Sequence, residues 1–211
     1  MTVQGSLFDH CQRRELGAGA WIESRSGWVA DGAICADTLF DELMTAVPWR
    51  AERRKMYDRV LDVPRLVSFC DLTTEPPPHP AVVRLRRRIN DIYAGELGEP
   101  FTTAGFCLYR DGSDSVAWHG DRVGSPRTSS AGSGIGRSTD DTMVAIVSLG
   151  ATRMFTMRPR GGGSALRLPQ AHGDLLVMGG SCQRTWEHAV PKTAAPTGPR
   201  ISIQFRPRGV R

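Results

Sequence analysis

Lysine is almost missing from this chain. Of 27 basic residues only Lys55 and Lys192 are lysine, which leaves 25 arginines. The formal charge is still +5, with a pI of about 9.3. Guanidinium forks suit phosphate groups, so the excess admits a nucleic acid partner. GC-rich coding gives the same Arg-to-Lys ratio, and the charge therefore counts toward a partner only where it clusters. Cysteine is sparse and scattered: Cys11, Cys35, Cys70, Cys107 and Cys182, with no Cys-x-x-Cys pair. An odd, dispersed set excludes a disulfide framework and a cysteine zinc site. No apolar run is long enough to span a bilayer, the first residues lack a basic-then-apolar leader, and no repeat is present. A reducing, cytoplasmic setting and a monomer without membrane contact are expected. With 211 residues, 40% hydrophobic and 23% charged, the chain suits one globular domain with a real core.

Three portions differ in texture. Residues 1–30 read as an arm plus one or two strands; within them Gln4-Gly5-Ser6-Leu7-Phe8 loosely resembles the Gln-x-x-Leu-Phe peptide that binds sliding clamps, or is a tail tucking Leu7 and Phe8 into the core. Residues 31–100 read as helical with a nucleotide-facing part. Asp37 reads as an N-cap, followed by Leu39, Phe40, Leu43, Met44 and Val47 at helical spacing, and Pro48 stops that helix. Trp49-Arg50-Ala51-Glu52-Arg53-Arg54-Lys55-Met56-Tyr57 then interleaves bases and aromatics. On a hairpin this mixture grips phosphates and offers rings for stacking; the plainer reading is a solvated face beside two core aromatics. A strand over Pro64–Phe69 follows. After the stiff Glu75–Pro80 linker, Val82, Leu85, Ile89 and Ile92 form the apolar stripe of a second helix, ended by Gly95 or Gly98, whose arginines read as a solvated face. Residues 101–211 read as short strands at 104–110, 116–121, 142–149, 154–158, 164–168, 174–178, 185–190 and 200–205. Helices followed by many short strands imply an α+β, mainly β chain with a jelly-roll core. The Gly/Ser-rich run from Arg122 to Asp141 interrupts those strands as a flexible loop.

Chemistry concentrates around Trp118-His119-Gly120-Asp121. On a strand, residues i and i+2 share a face, so His119 and Asp121 would present a nitrogen and an oxygen together. Such a triplet alone is more often a surface turn. His188, in Trp186-Glu187-His188, adds a second imidazole. Two histidines and a carboxylate form the facial triad of non-haem iron(II) oxygenases, with three coordination positions left open. Arg200 and Arg206 on the last strand could then hold a dicarboxylate. Of the other histidines, His10 and His79 are expected to be exposed, and His172 reads as part of a turn.

Taken in order, these segments resemble the AlkB family of Fe(II)/2-oxoglutarate-dependent nucleic acid dealkylases. The resemblance rests on Leu108 to Asp121, Val147-Ser148-Leu149-Gly150-Ala151, Asp174 to Met178, Gln183 to Lys192 and Arg200 to Arg206, with looser support from Trp49, Met56 to Arg59 and Pro64-Arg65. It implies a double-stranded β-helix with flanking helices. His119, Asp121 and His188 would hold Fe(II). Arg200 and Tyr109 would meet the far carboxylate of 2-oxoglutarate, and Arg206 would lie near its inner one. With O2, the implied reaction hydroxylates an N-methyl group on a base of alkylated DNA, single- or double-stranded, and releases formaldehyde. Trp49, Arg50, Arg53, Arg54, Tyr57 and Phe69 would face the flipped base and its backbone.

The chain departs from the family pattern at three positions. Cys107 and Ser202 stand where asparagines that touch the co-substrate are usual, and Val123 replaces an acid that contacts the base in some members. A thiol is a poor donor, so reduced co-substrate affinity is expected. Two other readings stay open: an oxygenase of the same fold acting on RNA, protein or a small molecule, and a nucleic acid binder without turnover.

Overall fold

Arg200–Pro207 alternates polar and apolar side chains with a period of two, the signature of a strand between unlike surfaces. In a computed structural model describing residues 11–30, 34–56, 59–121 and 141–210, with backbone only over 54–62, this strand is β12, inside an eight-stranded sheet. Ile201, Ile203 and Phe205 are fully buried on one side, while Arg200, Ser202, Gln204 and Arg206 line a cavity on the other.

In chain order come β1 (Cys11–Gly17), β2 (Ala20–Arg25), α1 (Ala36–Ala46), β3 (Arg50–Met56), β4 (Arg59–Asp71), α2 (Pro80–Leu97), β5 (Phe101–Tyr109), β6 (Val116–His119), β7 (Val144–Gly150), β8 (Arg153–Pro159), β9 (Leu166–Gln170), β10 (Leu175–Gly180), α3 (Cys182–Thr185) and β11 (Trp186–Val190). The large sheet runs β1-β2-β10-β7-β12-β5-β4-β3 and the small one β6-β11-β8-β9, with antiparallel neighbours throughout. This is the mainly β, jelly-roll architecture expected.

Two cores hold it. Leu39 and Leu43 of α1 and Val82, Leu85 and Ile89 of α2 pack on the outer face of the large sheet against Phe106, Val147 and Ile203. Between the sheets lie Val144, Ile146, Phe155, Met157, Leu176 and Met178. Each such side chain contributes roughly 1.5–3 kcal/mol on burial. The N-terminal hairpin extends the large sheet beside β10, and the β3–β4 hairpin extends its other edge beside β5.

Several local expectations need correction. Cys35, not Asp37, is the N-cap of α1; Asp37 sits in the first turn, where its charge favours the helix dipole. His79 is half-buried rather than exposed: its Nδ1 accepts from Ala81 N at 3.3 Å as the N-cap of α2, and its Nε2 lies 3.0 Å from Glu42. Gly98, left-handed at φ 81°, ends α2. The strand expected over 116–121 stops at His119. The one-turn α3 was not anticipated. All five cysteines are free, and among the described residues no helix is long and apolar enough to cross a membrane. Residues 4–8, His10, Tyr57 and 122–140 lie outside the described residues.

Candidate active site

β6 and β11 are neighbours in the small sheet, and their register places His188 opposite His119. The ring centroids stand 4.2 Å apart, and Phe155 stacks on His188 from within the sandwich at 5.3 Å. Nδ1 of His119 hydrogen-bonds Ala117 O at 2.9 Å, which leaves Nε2 as the ligand atom. Asp121 Oδ1 lies 3.8 Å from His119 Nε2 and 3.9 Å from His188 Nε2. The three ligand atoms fall within 4.8 Å of one another, a span that can hold one metal ion.

Asp121 reaches this position by a loop, not by strand alternation. Gly120 is pressed against the turn that follows β10: a Cβ there would stand 2.7 Å from Gln183 O and 3.3 Å from Trp186 O. The buried Gln183 side chain accepts from Asp121 N at 2.9 Å. Arg206 Nε donates to Asp121 Oδ2 at 2.6 Å, so one carboxylate oxygen is clamped and the other faces the histidines. Burial pushes the Asp121 carboxyl up, but Arg206 and then His188 outweigh it and hold the group below the usual range. Burial, followed by the neighbouring His119, pulls the His188 imidazole down to about 3. The His188 imidazole is thus neutral and the Asp121 carboxyl ionised, the forms that bind metal.

The same cavity contains a cation with no counter-charge among the described residues. Arg200 is 1% exposed; its Nη2 donates to Ser148 Oγ at 2.8 Å, whereas Nε and Nη1 have no hydrogen-bond partner among the described residues. Among the described residues no carboxylate pairs with it. Its Cζ lies 5.3 Å from the Tyr109 ring centroid, and Arg153 approaches the same ring at 5.6 Å. Burial and then Cys107 push the Tyr109 phenol up to about 12, so it stays a donor. Across β5, β12 and β7, Tyr109, Arg200 and Gly150 form one row and Cys107, Ser202 and Ser148 the next.

The residues named for nucleic acid fall in different places. Phe69 is 53% exposed and sits opposite Gly105, on the cavity side of the large sheet. Arg50 is exposed and pairs with Val67 two residues away on the same pleat. Arg53 is exposed beyond a bulge in β3; the side chain of Arg54 is not described. Trp49 packs half-buried against the helix-side core and donates its indole N–H to Met44 O at 3.1 Å, which matches the plainer reading of that aromatic. Sequence reasoning gave no site role to Ser148, Gln183 and Gln204, and Arg65, read only within the looser nucleotide-recognition segment, lines the same cavity as the triad. Pleat phase alone would have found Gln204, since it lies on the row of Ser202 and Arg206.

The sequence profile of the 2OG-Fe(II) oxygenase superfamily matches residues 35–206. The human protein named DNA oxidative demethylase ALKBH2 is 30% identical over 196 residues, covering 83% of this chain and 69% of that one. The chain belongs to the AlkB family of 2OG-Fe(II) oxygenases. The bovine alpha-ketoglutarate-dependent dioxygenase alkB homolog 3 is 33% identical over 198 residues, covering 82% of this AlkB-family chain and 64% of the relative. The chain thus spans just under two thirds of that relative's length. The structure titled "The structure of OsALKBH1" superposes with a TM-score of 0.56 over 93% of this chain and all of its own, at 14% identity, and shows the shared fold.

The family's cofactors are Fe(II) and 2-oxoglutarate, with O2. The residues present fit them. The triad offers the facial donor set, and the unpaired buried nitrogens of Arg200 suit a carboxylate, whose arrival would relieve the cost of a lone buried charge.

Proposed function

We propose that this chain demethylates N-alkylated bases in DNA by oxidation, with His119, Asp121 and His188 holding Fe(II) and Arg200 holding 2-oxoglutarate. The observation that carries the reading is Arg200: a fully buried guanidinium with two unpartnered nitrogens opening on the cavity that contains the triad. DNA is the substrate class because relatives are named DNA oxidative demethylases and because an exposed aromatic and an exposed arginine stand at the cavity's side of the sheet.

When bound, iron(II) with 2-oxoglutarate and O2 supplies the oxidant that turns an N-methyl group into N-hydroxymethyl, with succinate and CO2 as co-products. The chain's own residues do the rest. Arg206 fixes Asp121 so that Oδ1 faces the metal position, and Gln183 holds the backbone at that ligand. Arg200 and Tyr109 orient the far carboxylate, with Cys107 and Ser202 one row nearer the metal end. Val144, Ile146, Phe155 and Val190 keep the cavity wall apolar and exclude water. Phe69 stacks on the flipped base, while Arg50 and Arg53 of the β3–β4 hairpin contact phosphates. The hydroxymethylated base then collapses to the bare base and formaldehyde.

The deciding assay is formaldehyde release from a single-stranded oligonucleotide carrying 1-methyladenine, with Fe(II) and 2-oxoglutarate, beside His119→Ala. Release that vanishes in the variant and rises in KM with Phe69→Ala or Arg50→Ala is expected. Faster turnover of the matching RNA oligonucleotide would move the reading to RNA. Succinate formation without formaldehyde from either would keep the oxygenase and discard the nucleic acid substrate.

A further inference from the structure

Gln204 stands between Ser202 and Arg206 on the cavity row of β12, 8% exposed. Its partner in register on β5 is Gly105, where a Cβ would fall 3.0 Å from Gln204 Oε1 and 2.9 Å from Arg206 Nη1. The missing side chain is what lets both long side chains lie across the sheet. Gln204 turns toward the Arg200 end: its Nε2 donates to Ser202 Oγ at 2.7 Å and to Ser202 O at 3.1 Å, and its Oε1 accepts from the Cys107 thiol at 3.8 Å. One amide therefore bridges positions 107 and 202, two of the three at which this chain departs from its family's pattern.

A serine oxygen that accepts a strong hydrogen bond keeps its own proton to donate elsewhere. Ser202 neighbours Arg200 along the row, and Ser148, opposite it on β7, accepts from Arg200. We infer that Gln204 is a positioning residue for the co-substrate: it holds the Ser202 hydroxyl turned into the cavity as a donor to the dicarboxylate seated on Arg200. The inference rests on the 2-oxoglutarate reading above. Cys107 is then no deficit, because its thiol serves to orient the amide rather than to touch the ligand.

Calorimetric titration of 2-oxoglutarate into the Mn(II)-loaded chain under nitrogen reads this without turnover. Gln204→Met keeps the volume and removes the amide; Ser202→Ala removes the hydroxyl. Each is expected to weaken 2-oxoglutarate binding roughly 5- to 30-fold with Mn(II) affinity unchanged, and the double variant is expected to be no weaker than the worse single one. Gln204→Glu, nearly isosteric, attracts the serine proton and adds negative charge, so its loss exceeds that of Gln204→Met. Binding by Gln204→Met within twofold of the unsubstituted chain, or single losses that multiply in the double variant, overturns the inference while the co-substrate reading stands. Failure of the unsubstituted, Mn(II)-loaded chain to bind 2-oxoglutarate overturns both.

Discussion

Asp121 and Glu23 are buried carboxylates, 6% and 4% exposed, and arginine keeps both ionised. Asp121 faces the metal position; Glu23 of β2 lies on the opposite side of the large sheet and ties the N-terminal hairpin to α2. It accepts from the Tyr93 hydroxyl, from Arg13 at 2.8 Å and from Arg25 at 2.9 Å, and Arg13 continues to Glu96 at 2.9 Å. Burial raises the Glu23 carboxyl, yet these donors together bring it from an ordinary 4.5 down to about 2. A depressed carboxyl contributes stability that is complete above its unfolded value and lost as pH falls through the folded one. The window is therefore from about pH 4.5 down to about 2, and the full contribution is on the order of 3 kcal/mol. Glu23→Gln is expected to be less stable than the native chain at pH 7 in urea unfolding, with the gap narrowing at pH 3. A gap that stays constant would show that the network does not depend on the charge.

Among the elements, α3 and the Gly120 loop bear most directly on the metal. The helix is a single turn, too short to be stable alone, and it is held by Ser181, whose Oγ donates to Ala18 O at 2.7 Å. Its residue Gln183 takes the Asp121 amide proton, and its carbonyl presses on Gly120. A backbone oxygen cannot rotate aside as a long side chain can, so Gly120→Ala must displace the loop, at a cost of about 1–3 kcal/mol. That variant is expected to bind Mn(II) roughly 10- to 100-fold more weakly, read by titration of the electron spin resonance signal. Unchanged affinity would mean that Asp121 does not depend on this buttress. Spacing in the sequence brought His119 and Asp121 together, but for a reason that does not apply here: the strand ends at His119 and a tertiary contact does the placing.

At the scale of the molecule, the proposed metal and co-substrate sites belong to different sheets. His119 and His188 come from the small sheet, Tyr109, Arg200 and Arg206 from the large one, and Arg206 donates across to Asp121, the third member of the triad. Ligands that bind across the sandwich should therefore lock its halves together. At a hundredfold excess over Kd, 2-oxoglutarate added to the Mn(II)-loaded chain contributes about 2.7 kcal/mol, or roughly 5–10 °C in Tm for a domain of this size. Arg200→Met is expected to lose that increment and keep the one due to Mn(II), while His188→Ala loses both. Without ligands Arg200→Met should melt no lower than the native chain, because it removes an unpaired buried charge. A clear drop in its ligand-free Tm would show that Arg200 is structural.

Periodicity carried much of this in the sequence. The eight C-terminal strands, α1, α2 and the polar row on β12 follow from the alternation of period two and the apolar spacing near 3.6, because burying one face of each element requires those patterns. The pattern also contained Gln204, on the row of its neighbours. Distances along the chain could not show that α3 sets Asp121, that Gly105 clears the floor for Gln204 and Arg206, or that Trp49 turns toward the core while Phe69 faces the cavity side. Those depend on which residue stands opposite which across strands far apart in sequence. Local preference says nothing of such pairings, and only the closing of one sheet over the other fixed them.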